Sequence, residues 1–169
     1  VVHLGILNSY RSWNLFELPR TVHTMSNVGG FGIDGCTSTL IGASLSNPHK
    51  IHFLVTGDLA FFYDLNAIGN RHIGNNVRIL LINNGVGGEF KILGRANKPV
   101  NVDSYIAAGG HFGNKSKDLV RHLAQDLGFE YLSASTKEEF LRVVPEFTSS
   151  TATKKPIILE VFEDVENQD

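Results

Sequence analysis

FLVTGDLAFFYDLNAIGNRHIGNNVRILLINNGVGGEF, residues 53–90, is the stretch whose reading decides the fold. Residues 51–56 form a short β-prone apolar run that stops at Gly57, and residues 77–82 form another that stops at Asn83-Asn84. Between them, residues 59–70 carry apolar side chains at helical spacing (Leu59, Phe62, Tyr63, Leu65, Ala67) and no proline. A parallel strand–helix–strand crossover brings the chain back to the same edge of a sheet. Asp58 and Asn84, 26 positions apart, are therefore expected at the carboxyl ends of parallel strands. In open α/β sheets that edge binds the ligand.

The residue types at the two strand ends narrow the ligand. Asp58 offers a carboxylate, Asn84 an amide oxygen, and the loop after it main-chain carbonyls. These hard oxygen donors suit Mg²⁺ or Ca²⁺ better than Zn²⁺. One protein carboxylate holds Mg²⁺ poorly by itself, so phosphate oxygens are expected to complete the shell. The amides of Leu59 and Ala60 open a helix, where the dipole favours an anion. A metal-bridged diphosphate satisfies both halves. The spacing alone is equally met by an Asp58 that N-caps its helix and an ordinary turn at Asn83-Asn84-Gly85.

Gly57-Asp58 followed by Asn83-Asn84 resembles the cofactor signature of thiamine-diphosphate enzymes, with Leu59 where most such families carry a second glycine. The segments GDLAFFYDLNAI (57–68) and NVGGFGIDGCTST (27–39) are similar to the menaquinone-pathway 2-succinyl-5-enolpyruvyl-6-hydroxy-3-cyclohexene-1-carboxylate synthase family. The resemblance implies thiamine diphosphate and Mg²⁺ as cofactors. Asp58, Asn84 and the Val86 carbonyl would ligate the metal, and Gly57, Leu59, Ala60 and Gly87 would line the diphosphate. It also implies a decarboxylase or carboligase of a 2-oxo acid, cytoplasmic and a homodimer or homotetramer. Such enzymes carry a separate pyrimidine-binding domain upstream, which holds the activating glutamate. The isolated chain is therefore expected to be catalytically silent.

Composition agrees with one globular domain over 1–169: the chain has 169 residues, 42% of them hydrophobic, enough for a proper core. A formal charge of −2 without a basic block gives no electrostatic support for nucleic-acid binding. The lone Cys36 excludes an internal disulfide. No apolar run approaches the roughly 18 residues that span a bilayer, and no signal-peptide pattern is present. Val1 opens inside a strand-like run without an initiator Met, the expectation for a piece of a longer multidomain enzyme.

In chain order, residues 1–7 read as a strand and residues from Asn8-Ser9 to about Leu18 as a helix ended by Pro19. Asn8 and Ser9 can reach a diphosphate from a strand's carboxyl end, and Ser9 can equally be an N-cap; the resemblance assigns the pair to the diphosphate. Residues 22–25 read as a second strand. The following loop, 26–35, has four glycines, which permit close backbone approach to a ligand. Phe31 and Ile33 would be left exposed there unless something covers them. By resemblance, the Phe31 carbonyl accepts from the cofactor's 4′-amino group, the Ile33 amide donates to the pyrimidine, and the Ile33 side chain wedges between the two rings.

Residues 36–46 read as a helix packed through small residues, 116–127 as an amphipathic helix ended by Gly128, and 129–132 as a strand. Thr136 and Glu139 form a capping-box start for a helix to about Phe147, and residues 156–162 close the sheet. The fold expected is α/β: a doubly wound, mainly parallel sheet with about six strands and helices on both faces. Asp64 and Asn66 are expected as surface or packing polars. Glu89 and Phe90 should face the reacting carbon, Glu89 as an acid–base group or a solvated residue. Residues 91–113 read as a long loop that orders in part only with cofactor or the other domain. The seven histidines, His111 in a glycine-rich loop included, are read as structural or surface residues.

Two departures bear on the substrate. Val28 stands where the synthase has an arginine before the glycine loop, and Trp13 where it has another after the Asn-Ser pair, with Arg11 out of register. Both arginines bind substrate carboxylate in that family, and neither replacement can do so. Alternatives are therefore a decarboxylase of another 2-oxo acid, in surface-polysaccharide biosynthesis, or a non-catalytic regulatory domain of the same fold. A nucleotide-binding domain lacks support, because it gives no reason for the paired Asp58 and Asn84 and no phosphate-loop lysine pattern occurs.

Overall fold

A computed structural model of the chain describes residues 1–89 and 116–163. Six parallel strands form one sheet: β1 (Val2–Leu4), β2 (Thr24–Ser26), β3 (His52–Gly57), β4 (Val77–Asn83), β5 (Glu130–Ala134) and β6 (Ile157–Phe162). Their spatial order is β2-β1-β3-β4-β6-β5. The chain leaves β1 toward one edge and β3 toward the other, which opens a crevice between those strands at their carboxyl ends.

Period-two alternation splits the sheet into two buried faces. Leu54, Ile79, Leu81 and Ile158 face one core with Phe61, Val120 and Ala124. Val2, Leu4 and Val55 face the opposite side with Trp13, while Ile157 and Leu159 pack there against Phe147 and Phe140. Helices α2 (Cys36–Ser46), α3 (Asp58–Tyr63) and α4 (Leu119–Asp126) supply side chains to the first face, and α1 (Asn8–Trp13) and α5 (Lys137–Phe147) to the second. The doubly wound parallel architecture expected from the sequence is the one observed.

Local differences have physical causes. The helix expected over 59–70 stops at Tyr63 and continues as a 3₁₀ segment, Leu65–Gly69. Asp64 breaks it by leaving helical geometry, its carboxylate being committed elsewhere. α1 ends at Trp13 rather than near Leu18, and β2 starts two residues and ends one residue later than expected. Gly128, at φ +83, ends α4 as its position implied. Thr136 accepts from the Glu139 amide at 3.2 Å, while Glu139 reaches back to the Ser135 amide at 2.7 Å. Among the described residues no helix is long and apolar enough to cross a membrane. The expectations for Phe90, His111 and the 91–113 loop lie outside the described residues.

Candidate functional site

The register of β3 on β4 sets the centre of the site. Gly57, the last residue of β3, pairs with Ile82, so Asp58 and Asn84 emerge just past the ends of neighbouring strands. Gly57 is the N-cap of α3 and Asp58 its first helical residue, so Asp58 is not the cap that spacing alone allowed. Its carboxylate is 2% exposed. Among the described residues, apart from its chain neighbours, no heavy atom lies within 4 Å of a Cβ built on Gly57.

The two asparagines part company. Asn83 ends β4 with its side chain turned into the core face, where Nδ2 donates to the buried carboxylate of Glu160. Asn84 has left the ladder, and its Oδ1 accepts from the Val86 amide at 3.1 Å. With Gly85 at φ +70 this is an Asx-type turn that leads the loop back toward the sheet edge. The ordinary-turn reading is thus correct for the local geometry, and the turn also shapes the loop that carries Val86 and Gly87.

A third loop joins them. Leu7 precedes α1 at φ 69, a left-handed conformation that a branched side chain rarely adopts, and it turns the chain so that Asn8 and Ser9 open the helix. Leu7 is the N-cap residue and makes no side-chain cap bond, so Ser9 is not an N-cap. A Cβ on Gly88 would stand 2.9 Å from Asn8 Nδ2, so the segment after β4 lies against the head of α1. Just beyond, Arg11 of α1 donates to Glu89 in an ion pair that joins α1 to the segment after β4. Asn8, Asp58, Asn84, Val86 and Glu89 are therefore gathered at one edge.

Phe31 and Ile33 belong to a separate loop that leaves β2 at the same carboxyl edge. Phe31 adopts φ 54 and is 68% exposed, while Ile33 is half-buried. Asp64 ties this loop to α3, because its Oδ2 accepts from the Ser38 amide at 2.7 Å and the Ser38 hydroxyl at 2.9 Å. Asp64 thereby closes the N-terminal turn of α2, the helix that the loop enters.

Burial shifts the titratable groups beneath the site. Glu160 is fully buried, which pushes its carboxyl up. Hydrogen bonds from Tyr131 and Asn83 pull it back, and the charges of Asp58 and Asp118 push it up again. The Tyr131 hydroxyl donates to Glu160 Oε2 at 2.7 Å, and burial together with that carboxylate pushes its own pKa up. Cys36 is buried and its thiol raised for the same reason.

Past the ends of β3 and β4 the donor set is the Asp58 carboxylate, the Asn84 amide oxygen and the loop carbonyls, with the Glu89 carboxylate engaged by Arg11. No group of three His, Cys, Asp or Glu able to hold a metal occurs among the described residues. Such a set fits a hard cation that shares its shell with phosphate oxygens, and does not fit Zn²⁺.

Residues 7–161 match the family model described as the thiamine pyrophosphate enzyme, C-terminal TPP binding domain. The chain belongs to that family. Thiamine diphosphate is its cofactor. It is 37% identical over 163 residues to the 2-succinyl-5-enolpyruvyl-6-hydroxy-3-cyclohexene-1-carboxylate synthase of Christiangramia forsetii, covering 96% of this chain and 26% of that protein. The synthase of the same name from Flavobacterium johnsoniae is 38% identical over 165 residues, covering 94% of this chain and 27% of that protein. A solved thiamine diphosphate-dependent 4-hydroxybenzoylformate decarboxylase from Rhodococcus jostii RHA1 superposes with a TM-score of 0.67 at 22% identity, covering 96% of this chain and 29% of that one. The domain therefore has the fold of thiamine-diphosphate enzymes. It spans about a quarter of the length of the curated relatives it matches.

One residue, Glu160, and the partners of two others, Asp64 and Glu89, escape the sequence reading. Glu160 sits in an apolar strand, and a lone acid in a run as apolar as PIILEVF was the available signal. Asp64 was legible as a polar residue on a helix, but its capping of a different helix is a tertiary fact. Glu89 offered no partner in sequence; the structure supplies Arg11, 78 positions away.

Proposed function

We propose that this domain holds thiamine diphosphate through Mg²⁺, with the side chains of Asp58 and Asn84 and the Val86 carbonyl as protein ligands. The observation that carries this reading is the β3–β4 register, which sets Asp58 and Asn84 past adjacent strand ends in a set of hard oxygen donors. Asn8 and Ser9, with the backbone of Gly57, Leu59, Ala60 and Gly87, would surround the diphosphate. The Phe31 carbonyl and the Ile33 amide would orient the aminopyrimidine, and the Ile33 side chain would hold the two rings in a bent arrangement. The bound cofactor supplies the electron sink that lets a 2-oxo acid lose CO₂. Glu89, ion-paired with Arg11, would face the reacting carbon as an acid–base group.

The parent enzyme is a decarboxylase or carboligase of a 2-oxo acid, like the synthases it matches, and residues 1–169 form one domain of it. That domain would work with a pyrimidine-binding domain of the same enzyme in a cytoplasmic homodimer or homotetramer. A second reading concerns substrate. Trp13 and Val28 line one cleft of about 460 Å³ between α1 and β2, with Tyr10, Phe16 and Met25 also in its wall. The positions where the synthase family places carboxylate-binding arginines thus belong to a cleft with a mixed wall, in which Arg20, Asn14, Thr24 and Ser26 supply the polar groups. With Trp13 and Val28 in those two places, a substrate carboxylate would be held differently from the synthases, which favours a different 2-oxo acid, with surface-polysaccharide biosynthesis as one setting.

Calorimetry on the full-length protein tests the cofactor half of the proposal. Thiamine diphosphate should bind with Mg²⁺ present, and Asp58→Ala or Asn84→Ala should abolish saturable binding. Wild-type affinity in either variant would sink the metal assignment. A panel of 2-oxo acids, including 2-oxoglutarate and aromatic analogues, then separates the two substrate readings by turnover. No turnover of any of them would favour a non-catalytic regulatory domain.

A further inference from the structure

Beneath the strand ends lies a buried polar cluster that the cofactor chemistry does not use directly. Glu160, fully buried in β6, accepts from Asn83 Nδ2 on one oxygen and from the Tyr131 hydroxyl on the other. β6 lies between β4 and β5, so this single carboxylate is bonded to both neighbouring strands. Asn83 is itself 2% exposed, and its Oδ1 has no hydrogen-bond partner among the described residues. The bond to Glu160 is thus what orients the Asn83 amide. The β4–β6 ladder ends at that level, with Asn83 opposite Phe162 and the Glu163 amide bonded to the Asn83 carbonyl at 3.0 Å. Asn84 is the first residue beyond it.

A carboxylate buried in an apolar sheet is costly to keep, since an apolar side chain would fill the space without desolvating a charge. Its two hydrogen bonds offset part of that cost. Its location, one strand from the loop that carries Asn84 and electrostatically within reach of Asp58, gives it a use. We propose that Glu160 is a positioning residue for the cation site: through Asn83 it locks the end of β4, so that Asn84 is presented beside Asp58 before any cation arrives. The inference rests on the metal reading of Asp58 and Asn84 given above. Outer partners of this kind orient ligands they do not replace, and losing one lowers metal affinity by about 10–100-fold.

The test is Mn²⁺ binding to the full-length protein saturated with thiamine diphosphate, followed by electron paramagnetic resonance, with thermal unfolding of the cofactor-free protein alongside. Asn83→Leu and Glu160→Leu should each weaken Mn²⁺ binding by about 10–100-fold. The double variant should be no weaker than the worse single one, because both changes remove one coupling. Glu160→Gln should recover most of the affinity, since a flipped Asn83 amide can still pair with it. Tyr131→Phe removes the bond on the β5 side; it should lower the unfolding temperature and leave Mn²⁺ binding unchanged.

Unchanged affinity in Asn83→Leu, additive losses in the double variant, or an equal loss in Tyr131→Phe would each overturn the inference while leaving the metal site standing. If Glu160→Leu does not fold, Glu160→Gln and Asn83→Leu decide between them: affinity kept in the first and lost in the second supports the role, and affinity kept in both overturns it. Wild-type protein that binds no Mn²⁺ with the cofactor present would overturn the metal reading itself and this inference with it.

Discussion

Two residues without glycine's freedom, Leu7 and Phe31, hold left-handed backbone at the carboxyl edge of the sheet, at φ 69 and φ 54. Such conformations cost about 1–2 kcal/mol per residue and persist where surrounding structure enforces them, often at binding sites. Phe31 is 68% exposed, so its side chain contributes little packing to offset the strain. Phe31→Asn should therefore raise unfolding stability by up to about 1 kcal/mol, because asparagine tolerates this region. Cofactor affinity should fall in the same variant if the aromatic ring is covered in the assembled site. Denaturant unfolding and calorimetry on one preparation would separate the two effects. The exposed Phe31 was legible from its place among glycines, whereas its backbone conformation was not, since φ depends on how the loop is pinned at both ends.

At the scale of elements, Asp64 joins what sequence would treat as independent pieces. It stops α3, yields a 3₁₀ turn, and caps α2 through Ser38. Asp64→Ala should cost about 1–2 kcal/mol, the range for losing a charged helix cap, and should loosen the loop that bears Phe31 and Ile33. Asp64→Asn, which keeps one acceptor, should recover part of that stability; equal losses in the two variants would argue against capping. The existence and type of every strand and α-helix in the described residues were readable, because apolar spacing follows the face that becomes buried; the 3₁₀ segment Leu65–Gly69 was not. Element ends were less so. α1 stops at Trp13, well before the Pro19 that marks its end in the sequence, and Trp13 packs on the sheet, a contact absent from local spacing. The metal-ligand candidates were legible because Asp58 and Asn84 each follow a strand directly. Glu160 was not, because its partners come from two other strands.

At the scale of the whole molecule, two histidines make stability depend on pH. His3 and His52 are each 1% exposed. Burial pushes both imidazoles below their usual 6.5, while Asn27 opposes the shift at His3 and the Asn47 carbonyl opposes it at His52. The folded chain then binds fewer protons than the unfolded chain just below 6.5, so this contribution is present above 6.5 and is lost as pH falls through that value toward the lowered folded pKa values. Unfolding temperature should drop between pH 7 and 5. The double variant His3→Gln with His52→Gln should show a shallower drop, and an unchanged slope would mean that other groups carry the dependence. The overall architecture was legible because parallel strands buried on both faces read as apolar runs separated by helical spacing. Strand order was not, since nothing local says that β6 enters between β4 and β5.

That insertion has a consequence for how the chain is made. Arg78 finds its neighbour Ile157 only 79 positions further along the chain, and among the described residues β5 pairs with β6 alone. Until residue 157 has left the ribosome, an apolar strand flank stays open to water and to other nascent chains. Closure over so long a separation favours slow maturation and dependence on chaperones, and it makes β6 the keystone of the domain.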